Sequence, residues 1–465
     1  MHIVAIGGSD AGISAALRAR ELDRACEVTV VVADAYPNFS ICGIPYYISG
    51  EVTHWRNLAH RTYADLEATG MQLLLDTLAT DIDVAGQRLA LRAADGAESW
   101  LDYDELVVGT GALPVRPAID GLDDLGPGDG VHLLHSMGDT FALTTTLDAL
   151  APDSRAVIVG AGYVGLEMAE GLTARGLHVT QLEMLPEVLP TVDPELGALV
   201  HTELDKHGVD VHTQTTVTAI STDATATRHP LRVAATTADG EALSFDADVV
   251  LVVVGVRPDT ELLVAAGAST GHRGAVIVDD TMATGLPHVW AAGDCCVTHH
   301  RLLGTTYLPL GTTAHKQGRI AGENALGGDA HFAGSLGTQV VKVFDLVASR
   351  TGLREHEARA AGYSPATTQA APDDHKAYYP GAQPINIRIT GDLNTGALLG
   401  AQLVGPLGTE TAKRVDTYAT AIFHGMTVDG FSALDLSYTP PLGSPWDAVQ
   451  VATQAWMRER RTQQH

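Results

Sequence analysis

Short apolar runs recur along the chain, and two of them lead into glycine turns that open helical patterns. Residues 2–6 are apolar, residues 7–12 form a glycine turn, a helical pattern follows, and a second apolar run covers 27–33. The same order returns at 156–182, where the turn occupies residues 160–165. Strand, glycine turn, helix and strand predict two β-α-β units, and therefore an α/β fold.

Both turns have the composition of dinucleotide-binding loops. The turn at 160–165 is a complete G-x-G-x-x-G, in which the glycines let the backbone approach a pyrophosphate at a helix N-terminus. The turn at 7–12 carries Ser9 at the second glycine position and is a weaker signal on its own.

An acidic residue usually ends the second strand of such a unit and binds the ribose hydroxyls, about 20 residues past the last glycine. Glu183 stands 18 residues past Gly165 and fits this role. In the first unit the expected place is Val32, so we assign the ribose to Asp34, two residues later.

The remaining pattern predicts further elements of the first unit and a separate domain. Residues 104–114 read as a buried strand running into a glycine turn, 248–257 repeat that pattern, and 289–294 read as a strand ending in an acid. Residues 310–323 predict a helix capped by Thr312 or Thr313.

From about residue 333 the pattern changes to that of an α+β domain. Strands are expected at 339–348, 385–390 and 398–404, and a helix at 410–424.

Composition excludes several classes of function. The 465 residues carry a net charge of −27, which argues against nucleic acid as a partner, and the chain has no apolar run long enough to span a membrane. Residues 1–8 already read as a strand entering a turn, so we expect no signal peptide. Four cysteines are too few for a disulfide scaffold and fit a reducing compartment, so we expect a cytoplasmic protein.

Cys42 is the candidate for redox chemistry. It stands just before Gly43, Ile44 and Pro45, and since proline is favoured in the first turn of a helix, Cys42 is expected at a helix N-terminus that favours thiolate. The alternative is a buried structural cysteine. Position 47, five residues after Cys42, is a tyrosine, so no second cysteine stands there to close a disulfide with Cys42. A lone thiol cycles instead through a sulfenic acid or a mixed disulfide.

The order of these motifs resembles the two-dinucleotide-binding flavoprotein disulfide reductases over essentially the whole chain. The resemblance implies FAD in the first unit, with Asp294 on its ribityl chain, a nicotinamide cofactor in the second, and a third domain that forms a homodimer and completes the partner's active site. It implies an FAD-binding domain at 1–117 and 253–330, an NAD(P)H-binding domain at 118–252 and a dimerisation domain at 331–465.

Within that family the chain is similar to the single-cysteine branch, whose signature is Ser-Phe-x-x-Cys-Gly-[Ile/Leu]-Pro-Tyr. Asn38 replaces the serine, and Ile41 stands where asparagine is usual. The segments around residues 378–381 and 437–441 are similar to those of coenzyme A disulfide reductases, whose tyrosines reach the cysteine of the other subunit as proton donors. The resemblance thus assigns catalysis to Cys42, Tyr378, Tyr379 and Tyr438.

Asp10 departs from the oxidase and peroxidase members, which usually carry a histidine at this place. A carboxylate cannot donate a proton at neutral pH unless its pKa is strongly raised. The alternative is a residue that caps the first helix.

The resemblance also assigns the cofactor-binding residues. For FAD they are Gly7, Gly8, Ser9, Ala11, Gly12, Asp34, Thr110, Gly111, Gly255, Gly293, Asp294, Leu310, Gly311, Thr312 and Thr313. For NADH, with NADPH left open, they are Gly160, Gly162, Tyr163, Val164, Gly165, Glu167 and Glu183. Glu167 has an alternative as an ordinary helix carboxylate.

Three further residues are assigned to the substrate: Arg18, Arg20 and Asn38. The two arginines have the alternative of a solvated helix face. Cys295, Cys296, His299 and His300 are ligand types for a metal, but we expect them to pack, and we expect no metal site.

These observations together predict an FAD-dependent NADH oxidoreductase that reduces a low-molecular-weight disulfide or persulfide through Cys42. An NADH oxidase that reduces O2 is the alternative among enzymes. A flavoprotein that senses redox state without significant turnover is the alternative of another class.

Overall fold

The computed structural model describes residues 1–151, 153–223, 226 and 228–463. The helices in these ranges are α1 (Asp10–Leu22), α2 (Ile44–Ser49), α3 (Tyr63–Glu67), α4 (Met137–Ala149), α5 (Tyr163–Ala174), α6 (Pro194–Lys206), α7 (Glu261–Ala265), α8 (Gly311–Asn324), α9 (Glu355–Ala360), α10 (Thr411–Phe423), α11 (Val428–Ser432) and α12 (Ala448–Gln463). Among the described residues, no helix combines the length and the apolar character that a membrane crossing requires.

The strands are short, and most belong to five-stranded or three-stranded sheets. They are β1 (His2–Ile6), β2 (Glu27–Val31), β3 (Gln72–Leu74), β4 (Thr77–Asp83), β5 (Arg88–Ala93), β6 (Glu98–Asp102), β7 (Glu105–Val108), β8 (Ala112–Pro114), β9 (Val131–His132), β10 (Arg155–Val159), β11 (His178–Leu182), β12 (Asp210–His212), β13 (Thr215–Thr222), β14 (Leu231–Thr237), β15 (Ala242–Ala247), β16 (Val249–Val252), β17 (Val256–Pro258), β18 (Val289–Ala291), β19 (Thr298–His300), β20 (Gly304–Thr306), β21 (Gln339–Val343), β22 (Leu346–Gly352), β23 (Pro365–Ala370), β24 (Asn386–Asp392) and β25 (Leu398–Pro406).

The first of two compact units consists of Met1–Val115, His135–Phe141 and Gly255–Ser335. Its main sheet is parallel, in the order β18-β7-β1-β2-β3. The segments that leave the carboxyl ends of β1, β2, β7 and β18 carry Cys42 and the predicted FAD residues from Gly7 to Asp34, at 110–111 and at 293–294, whereas residues 310–313 lie at the start of α8. Ligands of open α/β sheets bind at this edge, so the topology gathers the candidate residues there.

Helices α1 and α8 cover one face of that sheet and approach each other closely. A Cβ at Gly318 would lie 2.2 Å from the carbonyl oxygen of Ala11, and one at Gly322 would lie 2.3 Å from that of Ala15. Only glycine permits this separation, because any side chain would overlap backbone atoms. The packing brings the N-terminal ends of the two helices together.

The second unit consists of Arg116–Leu134, Ala142–Val254 and Leu336–His465. It contains a parallel sheet in the order β12-β11-β10-β16-β9, an antiparallel sheet β13-β14-β15, and an antiparallel five-stranded sheet β21-β22-β25-β24-β23. The prediction of an α/β fold with two Rossmann-like units and a C-terminal α+β region is confirmed. The three domain boundaries expected above stay a prediction.

Two local predictions were wrong. The strand expected at 339–348 is a hairpin of β21 and β22, because Phe344 adopts the left-handed conformation (φ 50°) and turns the chain. Helix α8 is capped by Leu310 in an extended conformation, and the helix therefore starts before Thr312 and Thr313.

Candidate active site

The first glycine turn is too crowded for side chains. Gly7 has a φ of 107°, and a Cβ there would lie 2.1 Å from the carbonyl oxygen of Gly109. A Cβ at Gly12 would lie 2.2 Å from the carbonyl oxygen of Gly7. The exposed Ser9 is the N-cap residue of the 13-residue helix α1. The turn thus presents a helix N-terminus that a phosphate can approach, which is what a dinucleotide requires.

The second turn repeats this geometry at the start of α5. Gly160 has a φ of 106°, and a Cβ at Gly165 would lie 2.2 Å from the carbonyl oxygen of Gly160. Glu183 is buried beside it, with Oε2 accepting from the backbone N–H of Ala161 at 2.7 Å and Oε1 accepting from that of Leu185 at 2.9 Å. The predicted ribose acid is therefore fixed at the turn.

Two acids of the first unit lie in environments that disfavour charge. Burial raises the pKa of Asp34, although its Oδ1 accepts a hydrogen bond from the backbone N–H of Tyr36 at 2.9 Å. Burial and the nearby carboxylate of Asp10 raise the pKa of Asp294 to about 7, against the lowering effect of a hydrogen bond from the backbone of Leu310. A polar ligand with hydroxyl donors would supply the missing hydrogen bonds to both.

Thr110, Gly111 and Gly293 follow β7 and β18 at the same sheet edge, and Gly255 precedes β17. Thr110 Oγ1 donates to the carbonyl oxygen of Asp259 at 2.6 Å, and Gly111 has a φ of 76°. Gly293 has a φ of 84°, and its N–H donates to Gln317 Oε1 at 2.9 Å. Gly255 accepts through its carbonyl from the N–H of Val115 at 2.9 Å. These contacts fix the turns around the space assigned to the cofactor.

The environment of Asn38 indicates whether a polar cofactor or ligand fits at this sheet edge. Its φ of 59° is left-handed, which asparagine tolerates better than serine. The side chain is 1% exposed, and its Oδ1 has no hydrogen-bond partner among the residues that the structure describes. A buried acceptor of this kind is costly unless another molecule donates to it, so the site fits a bound polar cofactor or ligand.

Cys42 is exposed, whereas Cys26, Cys295 and Cys296 are buried. It lies in a 3₁₀ turn, Ile41–Gly43, that precedes the six-residue helix α2. The expected position at the helix N-terminus is therefore slightly wrong, because Gly43 is the N-cap residue and Cys42 stands one residue before it. The exposure rules out the alternative of a buried structural cysteine.

Asp10 lies against two histidines, His60 and His315, that no sequence motif marks as site residues. Its Oδ1 is 3.3 Å from Nε2 of His315, and the His315 and His60 ring centroids are 6.1 Å apart. Ser14 Oγ lies 2.9 Å from His315 Nδ1. Burial raises the pKa of Asp10, and the two histidines oppose that effect. Asp10 and His315 meet because α1 and α8 pack closely. The glycines of α8 are the feature of the sequence from which this close packing could have been predicted.

The two arginines assigned to the substrate already have partners. Arg18 pairs with Glu323 at 2.5 Å and with Glu21 at 3.0 Å. Arg20 donates to the carbonyl oxygens of Thr69, Arg24 and Cys26. These contacts favour structural roles, most clearly for Arg20, whose hydrogen bonds hold the chain after α1.

In the second unit the predicted tyrosines lie together at an exposed place. A hydrogen bond to Tyr438 raises the pKa of Tyr378. The ring of Tyr379 lies edge-on to His375, with a centroid distance of 5.7 Å. All three tyrosines are exposed in the single chain. Tyr378 and Tyr438 therefore form the pair that a second molecule can reach.

The other candidates occupy the expected elements. Burial raises the pKa of Tyr163 to about 12, Val164 is exposed, and Glu167 lies on the same helix, α5. Cys295 and Cys296 pack in the core under the first sheet, and His299 and His300 belong to β19. Cys295, Cys296 and His300 are buried, whereas His299 is exposed, so the expectation that all four residues pack is wrong for His299.

Comparison with known families identifies the fold. Residues 1–318 match the family model described as pyridine nucleotide-disulphide oxidoreductase. The chain belongs to this family. Residues 338–448 match the dimerisation domain of the same family. FAD is characteristic of these oxidoreductases, and the residues described above fit it.

Three similar proteins cover nearly the whole chain. A protein of Methanocaldococcus jannaschii named NADH oxidase is 31% identical, over 98% of each chain. A Pyrococcus horikoshii protein named NAD(P)H coenzyme A polysulfide/persulfide reductase is 32% identical, over 97% of each. The structure of an NAD-dependent persulfide reductase from A. fulgidus superposes with a TM-score of 0.92 and 36% identity, covering 99% of this chain and 84% of that one.

Proposed function

We propose that this protein is an FAD-dependent NADH oxidoreductase that reduces a low-molecular-weight disulfide or persulfide through Cys42. The observation that carries the proposal is the exposure of Cys42 in the loop after β2, at the sheet edge that bears the first glycine turn. Relatives named NAD(P)H coenzyme A polysulfide/persulfide reductase and coenzyme A disulfide reductase support the choice of a sulfur substrate.

The chemistry at Cys42 is thiol–disulfide exchange. The thiolate attacks one sulfur of the substrate, a bond forms between Cys42 and that sulfur, the substrate's S–S bond breaks, and the second sulfur leaves as a thiolate. When bound, FAD supplies the two electrons of NADH that return Cys42 to the thiolate and release the retained half as a second thiol. Each leaving thiolate takes up one proton.

The hydroxyls of Tyr378 and Tyr438 are the proposed proton donors, acting on the cysteine of a second copy of this chain. The match to a dimerisation domain supports this arrangement. Exposed apolar side chains that follow Tyr438 in the sequence also support it, since Leu442 is 77% exposed and Trp446 is 55% exposed. Burial of such side chains against a second subunit is favourable.

NADH is the proposed electron donor. The carboxylate of Glu183 offers acceptors to two ribose hydroxyls, and the exposed residues that follow it, Met184 and Leu185, carry no positive charge. A 2′-phosphate would meet a negative charge instead.

One contact favours NADH oxidase activity as a second candidate. Oxygen reduction needs a proton donor near the reaction, and His315 beside Asp10 offers an imidazole where the sequence alone offered only a carboxylate. The relative named NADH oxidase points the same way.

Steady-state NADH consumption by the purified holoenzyme tests the proposal. The panel contains coenzyme A disulfide, glutathione disulfide, coenzyme A persulfide, hydrogen peroxide and O2. We expect the highest kcat/KM for a sulfur substrate and loss of that activity in Cys42→Ser. A rate with O2 that exceeds every sulfur substrate would replace the proposal with the oxidase, and negligible turnover with all of them would favour a sensor. Protein that cannot hold FAD would contradict all three.

A further inference from the structure

Three side chains that usually ligate metals meet at the N-terminal ends of α1 and α8. One ligand atom from each of Asp10, His60 and His315 lies within 4.8 Å of the other two. Asp10 is the first residue of α1, His315 lies in the first turn and a half of α8, and His60 lies in the loop before α3. The close packing of α1 and α8 brings residues from distant parts of the sequence to one place.

The separation between Asp10 and His315 suits zinc. Zinc binds imidazole nitrogen at about 2.0–2.1 Å and carboxylate oxygen at about 2.0–2.2 Å, so two ligands at a tetrahedral angle lie roughly 3.3 Å apart. Asp10 Oδ1 and His315 Nε2 are 3.3 Å apart. His60 is exposed, so its side chain can rotate to bring its ring nitrogen to the same ion.

The hydrogen bond of the second ring nitrogen supports the same interpretation. Metal-binding histidines generally donate the other ring N–H to a neighbouring oxygen, which fixes the tautomer and the ring orientation. Ser14 Oγ lies 2.9 Å from His315 Nδ1 and is placed to accept that hydrogen bond. His315 Nε2, which faces Asp10, then carries the lone pair.

We propose that Asp10, His60 and His315 bind one Zn²⁺ ion, with Ser14 orienting His315. Three protein ligands leave a fourth position open, which is the arrangement of zinc sites that exchange a small ligand.

A second cluster of metal-ligating types is a weaker candidate. It contains Glu203, His207 and Asp345. Lys206 Nζ lies 3.3 Å from Glu203 and 3.5 Å from Asp345, so an ammonium already provides the positive charge that a cation would bring. Around Asp10, by contrast, the opposing groups are two histidines, which are neutral ligands in the unprotonated form.

The site borders the loop that carries Cys42. The backbone N–H of His60 donates to the carbonyl oxygen of Asn38 at 2.9 Å, and that of Ser40 donates to Leu58 at 2.8 Å. Zinc bound to His60 would therefore hold the segment that leads to Cys42, and we expect it to inhibit disulfide reduction. This consequence rests on the proposed function, whereas zinc binding itself does not.

Equilibrium competition with a chromophoric zinc chelator tests the binding, using holoenzyme freed of metal and Zn²⁺ alone as the ligand. We expect one zinc equivalent in the wild type that is missing in the double variant His60→Asn/His315→Asn. Ser14→Ala should retain the site and weaken it by about tenfold. His331→Asn is the matched control, because His331 is an exposed histidine between two carboxylates, Asp280 and Asp329.

The FAD content and the thermal unfolding midpoint of each variant establish that it is folded. Cys42→Ser should bind zinc like the wild type. Equal binding by the wild type and the double histidine variant, or absence of binding in the wild type, would overturn the proposal. So would loss of binding in Cys42→Ser alone, because the ligand would then be the thiolate. Zinc binding without inhibition contradicts only the functional consequence.

Discussion

Glu183 Oε2 accepts a hydrogen bond from the backbone N–H of Ala161 at 2.7 Å, so the acid at the end of β11 is tied to the glycine turn at the start of α5. The carboxylate is buried and cannot move away from a ligand held by the turn. We infer that the preference between NADH and NADPH depends on this one fixed carboxylate.

We predict a higher kcat/KM for NADH than for NADPH, by on the order of 10- to 100-fold, the size of a charged hydrogen bond. Glu183→Gln should reduce the ratio by improving NADPH and weakening NADH. Glu187→Gln, four residues on, removes a carboxylate of the same loop and should leave the ratio unchanged. Equal kcat/KM values in the wild type would mean that an arginine elsewhere reaches the 2′-phosphate.

A second prediction concerns the thiol. Cys42→Ser should abolish disulfide reduction but leave FAD content and NADH-dependent reduction of ferricyanide largely unchanged, because only the exchange step needs the sulfur. Iodoacetamide should label native protein at one site, Cys42, since the other cysteines are buried.

Cys26→Ser is the matched control and should keep wild-type turnover. Cys26 lies in the core of the first unit. If Cys42→Ser reduces disulfides at the wild-type rate, electrons reach the disulfide without passing through the Cys42 sulfur.

Both glycine turns could be predicted from the sequence, because only glycine can occupy the positions that define their conformation. Gly7 and Gly160 need positive φ, and Gly12 and Gly165 need the absence of a Cβ. The position of Glu183 could also be predicted, because one helix and one strand separate the last glycine of the turn from the acid, and their combined length varies little between β-α-β units of this kind.

What sequence reasoning missed depends on packing between distant segments. His315 appeared only as part of a helix, and His60 not at all, because nothing local connects them with Asp10. Their meeting follows from the small residues at Gly318 and Gly322, which let α8 approach α1. The partners of Arg18 and Arg20 were also unpredictable, since Glu323 and Thr69 reach them only through the tertiary fold.

The third prediction concerns the tyrosine pair. Tyr438→Phe should lower kcat for disulfide reduction by about 100-fold, the lower range of general acid catalysis. Tyr378→Phe should lower it less, because the hydrogen bond to Tyr438 raises the pKa of Tyr378 and makes it the poorer proton donor. Reduction of ferricyanide by NADH should be unaffected in both variants. Tyr363→Phe is the control for loss of a hydroxyl in the same unit. Disulfide reduction at an unchanged rate in the double variant would mean that another group, such as His315, protonates the leaving thiolate.

The fourth prediction concerns stability and pH, and it rests on Glu357 in α9. Burial acts to raise the pKa of this carboxyl, but the charge of Arg350 and hydrogen bonds from Arg350 and Arg354 lower it from 4.5 to about 2. The two arginines also donate to the backbone carbonyls of Thr191 and Pro190, so the cluster joins α9 to the loop before α6.

A carboxyl with a lowered pKa stabilises the folded state above its unfolded pKa, and the stabilisation is lost as the pH falls through its folded pKa. A shift from 4.5 to about 2 corresponds to about 3 kcal/mol at neutral pH. We therefore expect Glu357→Gln to lower the free energy of unfolding at pH 7 by about 3 kcal/mol. The difference from the wild type should shrink as the pH falls from about 5 towards 2.

Urea unfolding followed by circular dichroism at several pH values measures this difference. Glu355→Gln, which breaks an exposed ion pair with Arg359 on the same helix, should cost about 1 kcal/mol or less at every pH. A difference for Glu357→Gln that stays constant down to pH 2 would contradict the prediction, because the loss would then come from the shape of the side chain and not from its charge.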